Sequence, residues 1–300
     1  MRYLVSLLLF FSVQTLRADE NGEFFRKYDY LWIKNFFSQE EVAQLKTWSD
    51  EIHEASLDLL KLAETTGESL EKLIQTVPGA LIVVKEAGKP QQVCRAEDFL
   101  MFSPAFTEFM DRKITSFISE LQGETYVPFK EKLNFKWPGG GAFPPHQDFP
   151  AYEFLCPREH VTAMVCVDAA TLENGCLQVA DDWRQTFAGD PTLDAALLTE
   201  GKAVLPFITG GKLHGSIETE YSDQITWIPL EASAGDLILI SSYVPHYSEP
   251  NRSSNPRRAM LFTFSRLEEG EQRIAYYKAK RDDPNNPIFH IATPTDARNK

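Results

Sequence analysis

The sequence has no CxxC pair, no excess of basic residues, no internal repeat or low-complexity tract, and no apolar run long enough to cross a bilayer. Each absence removes a class of function. The four cysteines, Cys94, Cys156, Cys166 and Cys176, are spaced unlike the paired ligands of a structural zinc site. Cys166 lies in an apolar run and reads as a small core residue, while disulfides in an exported chain stay open. With 43 acidic against 30 basic side chains and a net charge of −13, the chain repels phosphate backbones and anionic lipid. Nucleic acid and membrane surfaces are therefore poor partners. The longest apolar stretch, Tyr3 to Val13 behind Arg2, falls well short of the roughly 20 residues a spanning helix needs. It fits the apolar segment of a signal peptide over residues 1–18, with Ala18 at the cleavage point but Leu16 where a small residue is usual. An N-terminal extension of the fold and an upstream start codon are the other readings. Export to the periplasm or medium, or a cytoplasmic location, follows accordingly.

What is present is the composition of a globular protein with a real core, 43% hydrophobic and 24% charged. Helical signals come first. Tyr28–Ile33 reads as a strand, and Ser38 with Glu41 forms a capping box ahead of Val42, Leu45, Trp48 and Ile52 at helical spacing. Ser103-Pro104 opens a second helix, with a stripe of Phe106, Phe109, Met110, Ile114, Phe117 and Leu121. From about Phe129 short β-rich runs take over. They are Val161–Val167, Cys176–Val179 after a hairpin signal at Asn174-Gly175, Ile225–Ile228, Asp236–Ile240 and Ala259–Phe264. This predicts a mostly β protein with flanking helices, built as a sandwich, barrel or jelly roll. A single catalytic domain is expected over residues 22–300.

The residues that carry chemistry lie in the β-rich part. His146 and Asp148 follow the Gly139–Gly141 and Pro144-Pro145 turns, and in extended backbone residues i and i+2 point the same way. Two histidines and one carboxylate occupy one face of an octahedron and leave the other positions open. A lone HxD is common by chance, so a third ligand decides the matter. His53, His160, His214, His246 and His290 are available. His246 stands at the end of an apolar strand, just after Pro245, which suits a barrel mouth. His214 reads as a loop residue, and His160 and Asp168 as structural. Arg257 and Arg258 open the next strand, one pointing in and one out, and a guanidinium grips a carboxylate bidentately.

Taken together, the segments Lys132–Gly141, Pro145–Asp148, Asp168–Leu177, Gly235-Asp236, Pro245–Ser248, Asn251–Ser253, Arg257-Arg258 and Tyr276–Arg281 resemble the phytanoyl-CoA dioxygenase family of Fe(II)/2-oxoglutarate oxygenases. The resemblance runs from Asp29 to Arg281. It implies a double-stranded β-helix, a cupin-like jelly roll. It implies iron(II) on His146, Asp148 and His246, and Arg257 on the far carboxylate of 2-oxoglutarate, with Ser248 as a further contact. Asn134 and Lys136 are implied as cosubstrate or substrate contacts. Met164 falls where some relatives place an aromatic lining residue. The implied reaction uses dioxygen, with ascorbate in support, to hydroxylate a C–H bond and release succinate and carbon dioxide. Because Asp148 is intact, hydroxylation is expected rather than halogenation.

The pattern is similar to that of bacterial members acting on small polar molecules such as aminophosphonates or quaternary ammonium compounds. Phe149 and Tyr152, with Phe154, would offer a cation–π face to the latter or else pack as lid and core. The rival class is a non-oxidative metal-binding jelly roll, isomerase-like or sensory. It would keep the three ligands and have no need of Arg257.

Overall fold

The computed structural model describes residues 20–86, 89–155, 158–284 and 286–290. The expected signal segment and Cys156 lie outside the described residues. Among them, eleven strands form two sheets: β1 Tyr30–Ile33, β2 Ile82–Glu86, β3 Lys89–Glu97, β4 Tyr126–Lys136, β5 Phe143–His146, β6 His160–Cys166, β7 Leu177–Ala180, β8 Trp227–Leu230, β9 Leu237–Ser241, β10 His246–Ser248 and β11 Arg257–Arg266. The larger sheet runs β1-β9-β6-β11-β4-β3-β2 and the smaller β5-β10-β7-β8. Every pairing is antiparallel. Two facing antiparallel sheets with chain crossing between them make the expected jelly roll.

The helices begin where the sequence sets them. Helix α1, Gln39–Thr66, is capped by Ser38, whose hydroxyl accepts the Glu41 amide while the Glu41 carboxylate accepts the Ser38 amide. Helix α2, Pro104–Met110, is capped by Ser103 with proline in its first turn. One π turn, Asp111–Thr115, carries it into α3, Ser116–Gln122. The apolar stripe stays continuous, with Phe106, Ile114 and Leu121 all buried.

The larger sheet separates two cores. Its outer face, through Leu133, Phe135, Val165, Leu239, Met260 and Phe262, packs against the helices. Its inner face, through Met164, Cys166, Ile238, Ile240, Ala259 and Leu261, packs against Leu177 and Val179 of the smaller sheet. Strand alternation therefore decides which residues of β4, β6, β9 and β11 reach the inter-sheet space.

Two sequence expectations change. The Asn174-Gly175 turn is not a hairpin, because it connects β6 of the larger sheet to β7 of the smaller. The Asn174 side chain instead closes its own loop, accepting the Thr171 amide and donating to the Ala169 carbonyl. The β2–β3 hairpin, Ile82 to Glu97, sits in a region the sequence pattern left unassigned. Lys89, Arg95 and Glu97 break its apolar rhythm, and the buried Glu97 is held by Arg95 of its own strand and by Lys280, which is distant in sequence.

Candidate metal centre

β5 and β10 are neighbours in the smaller sheet, with His146 directly opposite His246. Their rings lie 4.2 Å apart between centroids. Each imidazole is fixed the same way. His146 Nδ1 lies 2.8 Å from the Pro144 carbonyl and His246 Nδ1 lies 3.0 Å from the Val244 carbonyl. A carbonyl can only accept, so Nδ1 carries the proton and Nε2 keeps its lone pair for a metal.

Asp148 arrives by a different route from the one the sequence implied. It is not in extended backbone. Its φ of −76° and ψ of −27° start a 3-10 turn over Phe149–Ala151, and this turn swings the carboxylate back toward His146. Asp148 Oδ1 comes within 3.9 Å of His146 Nε2. The donor atoms of His146, Asp148 and His246 all lie within 4.8 Å of one another, and all three residues are buried.

Gln147, between the two ligands, turns the other way and locks the segment. Its amide donates to the carbonyls of Ala203 and Tyr243 and accepts from the Leu205 amide. Glutamine is a poor metal ligand, so its type alone gives Gln147 no role in the sequence. A glutamine between two ligands must point away from them, which was the available signal.

The charge states suit a cation. Burial, and then the neighbouring His246, push His146 down to about 3, so it stays neutral. Burial also lowers His246. Burial pushes the Asp148 carboxyl up, but Lys132, His246 and Lys130 together outweigh it and hold the group below the usual carboxylate range. Two neutral imidazoles and one carboxylate are the donor set of a facial triad. A metal about 2.1 Å from each would hold neighbouring donors about 3 Å apart, so small side-chain rotations close the cluster.

The facing wall is the inner surface of the larger sheet. Lys130, Lys132, Asn134 and Lys136 alternate along β4, and Arg257 opens β11 opposite Lys136. Arg257 is buried and donates to the Gly175 carbonyl, its Nε is without a hydrogen-bond partner, and it forms no ion pair with a carboxylate among the described residues. Arg258 points outward to Asp168 and Asp50, as alternation requires. Lys136 reaches across to the smaller sheet, donating to Ser248 Oγ at 2.7 Å and the Glu249 carbonyl at 2.6 Å. Asn134 is buried, with Oδ1 unpartnered. Met164 lines the same face.

Other expected residues are engaged within the protein or lie away from the triad. Tyr152 is fully buried and the Lys130 ammonium already sits 4.6 Å over its ring. Phe149 stacks on Tyr243 at 4.5 Å, and Phe154 packs against Phe289. The cation–π face considered for a quaternary ammonium is thus occupied from within. His214 lies in a surface loop, accepting the Gly210 amide. His160 is buried against Phe129 and Tyr152, and His53 packs on Phe135 and Trp137. Lys130 and Lys132 also lie on the inner face of β4. Their signal was a period of two shared with Asn134 and Lys136.

Comparison with known proteins agrees with this geometry. The profile of the phytanoyl-CoA dioxygenase (PhyH) family matches residues 25–259. A 2-aminoethylphosphonate dioxygenase from an uncultured bacterium is 35% identical over 257 residues, covering 84% of this chain and 83% of its own. A methylphosphonate hydroxylase from Gimesia maris is 32% identical over 274 residues, covering 90% of this chain and 88% of its own. Among solved structures, EctD from S. alaskensis with 2-oxoglutarate and 5-hydroxyectoine superposes with a TM-score of 0.60 at 17% identity, covering 83% and 76% of the two chains. The epimerase SnoN, in complex with Fe3+ and alpha ketoglutarate, superposes with a TM-score of 0.57 at 14% identity, covering 84% of each chain. These structures share the fold.

Proposed function

The chain belongs to the phytanoyl-CoA dioxygenase family, and from that membership we propose that it is an iron(II)- and 2-oxoglutarate-dependent dioxygenase hydroxylating a C–H bond of a small phosphonate. One observation carries the reading. A buried two-histidine, one-carboxylate cluster shares its interior with a buried guanidinium that has no carboxylate partner among the described residues. A metal-binding module without a dicarboxylate ligand would leave that guanidinium unexplained, since a buried unpaired charge is costly. The catalytic domain is proposed to run over residues 22–300, and residues 1–18 to be a signal segment.

In this reading His146, Asp148 and His246 hold the iron, and Arg257 holds the far carboxylate of 2-oxoglutarate through its unpartnered Nε and remaining donors. Ser248, Asn134 and Lys136 flank that carboxylate, and Met164 closes the wall beneath it. Iron with 2-oxoglutarate and dioxygen supplies the oxidising power, releasing succinate and carbon dioxide. The chain's own part is orientation and dryness. Pro144 and Val244 keep the imidazoles in one tautomer, Gln147 fixes the turn that carries Asp148, and Phe149 on Tyr243 shields that turn from water. The phosphonate follows from two supports. Both relatives sharing about a third of the sequence are named for phosphonates, and the β4 wall is cationic. Of the acidic neighbours of that wall, Glu97 is engaged by Lys280 and Arg95, while Glu86 and Glu249 act on Lys136.

Aerobic incubation with iron(II), ascorbate and 2-oxoglutarate tests this directly. Succinate should appear with 2-aminoethylphosphonate, methylphosphonate or a close analogue, and not with choline or betaine. No succinate with any of them, and no iron-dependent 2-oxoglutarate binding, would refute it.

A further inference from the structure

We propose that Lys132 binds the substrate's oxyanion headgroup and that Lys130, fixed behind it, supplies a second positive charge, so that together they select a compact tetrahedral dianion. The inference rests on the iron and 2-oxoglutarate reading above and adds the substrate side of the site. The cations of the inner wall divide into two sets. Lys136 is committed to Ser248 and the Glu249 carbonyl, and Arg257 stands opposite it at the end of the sheet. Lys132 lies four residues further along β4 on the same face, which in a strand is about 13 Å. That distance is too long for one short dicarboxylate to use both sets while also chelating the metal.

Lys132 is the half-buried cation of the wall left without a hydrogen bond or ion pair among the described residues. Its cross-strand neighbours are Leu261, which offers nothing, and Glu97, which Lys280 and Arg95 already hold. Yet Lys132 shares the inner face of β4 with Lys130, Asn134 and Lys136, so its side chain faces the same inter-sheet space as the triad. Lys130 cannot move to a ligand, held over the Tyr152 ring and 3.5 Å from the Tyr276 hydroxyl. Burial pushes its ammonium down to about 7, so a bound anion is what holds it charged; it contributes field, and Lys132 contributes contact.

Charge counting sharpens the point. An iron(II) ion with Asp148 carries one net positive charge, and 2-oxoglutarate brings two negative. Arg257 takes up the remaining negative charge, so Lys130 and Lys132 leave the interior with two positive charges, which a substrate dianion neutralises and a quaternary ammonium increases. The side chain is also the right kind. A lysine ammonium is a point charge with three donors, suited to a tetrahedral oxyanion, whereas the planar guanidinium of Arg257 suits a carboxylate.

The test is anaerobic calorimetric titration of the iron(II)–2-oxoglutarate holoenzyme with methylphosphonate and 2-aminoethylphosphonate, using wild type, Lys132→Met and Lys132→Arg. Lys132→Met should weaken phosphonate binding by about 10- to 100-fold, the loss of one charge-assisted contact. It should leave 2-oxoglutarate affinity and the melting temperature near wild type, and raise KM for phosphonate more than it lowers kcat. Lys132→Arg should recover part of the affinity. Equal phosphonate binding by wild type and Lys132→Met would overturn the role of Lys132. If wild type takes 2-oxoglutarate but no phosphonate, sulfonate or phosphate ester, the headgroup inference falls while the oxygenase reading stands. If 2-oxoglutarate itself does not bind with iron, both fall.

Discussion

Two hydrogen bonds from ring nitrogens to carbonyls, at Pro144 and Val244, decide what His146 and His246 can be. They turn each Nε2 into a lone-pair donor pointing at Asp148, and burial keeps both rings neutral. Replacing His146 or Asp148 by Ala should therefore abolish succinate release and stoichiometric iron binding, measured by colorimetric iron assay on the reconstituted protein. Arg257→Ala should raise the 2-oxoglutarate KM by about 10- to 100-fold, because charge-assisted hydrogen bonds are worth about 1.5–3 kcal/mol. Iron content should persist in that variant, which separates it from the ligand variants. His160 gives a pH prediction away from the metal. Burial, and then Lys130, push it down to about 3 from an ordinary 6.5. Between those values the unfolded chain holds a proton that the folded chain refuses, so stability is lost as pH falls through that window. His160→Phe should flatten this acid limb, read as the urea midpoint at pH 5 against pH 7. An unchanged limb would contradict the assignment.

At the scale of elements, the metal centre depends on two short pieces of backbone. The β5–β10 pairing sets His146 opposite His246, and the 3-10 turn at Phe149–Ala151 delivers Asp148. The three residues that converge were named in the sequence through their types, the strand-end position of His246 and the family resemblance. The turn was not, because residue spacing alone does not separate a strand from a strand that ends in a turn. Asn174-Gly175 misled for a related reason. Its left-handed glycine, at φ 75°, is real, but it serves a crossover between sheets. A Cβ there would stand 2.1 Å from the Glu249 carbonyl oxygen, beside the strand that carries Ser248, and the Gly175 carbonyl holds Arg257. Gly175→Ala should therefore displace the Arg257 loop. We expect a fall in stability of about 1–3 kcal/mol by denaturant titration, as for strained positive-φ sites, and a raised 2-oxoglutarate KM.

For the molecule as a whole, charge is distributed against its average. The chain carries −13, yet the interior facing the triad is lined with Lys130, Lys132, Lys136 and Arg257. Composition could not show this, since net charge says nothing of one pocket, and period-two counting along β4 was the only clue. β3 and β4 together tie the barrel to helix α4, Arg273–Asp282, through the buried Lys280–Glu97 pair at 2.7 Å and the Arg273–Glu131 pair at 2.8 Å. Lys280→Ala would leave Glu97 buried with only Arg95, and should cost about 3–5 kcal/mol, seen as a large drop in melting temperature. A shift of under a degree would contradict that view of the cluster. The jelly roll itself was legible from its short apolar runs and turns, whereas the hairpin over β2 and β3, held by tertiary ion pairs, was not.

In the proposed reaction one dioxygen molecule is divided between 2-oxoglutarate and a phosphonate at the His146–Asp148–His246 centre. Turnover of methylphosphonate or 2-aminoethylphosphonate under isotopically labelled dioxygen, followed by mass spectrometry, tests it most directly. One labelled oxygen is expected in succinate and a labelled hydroxyl on the phosphonate, in equal amounts, and neither with Asp148→Ala. Succinate without a hydroxylated phosphonate, or product formed without 2-oxoglutarate, would contradict it.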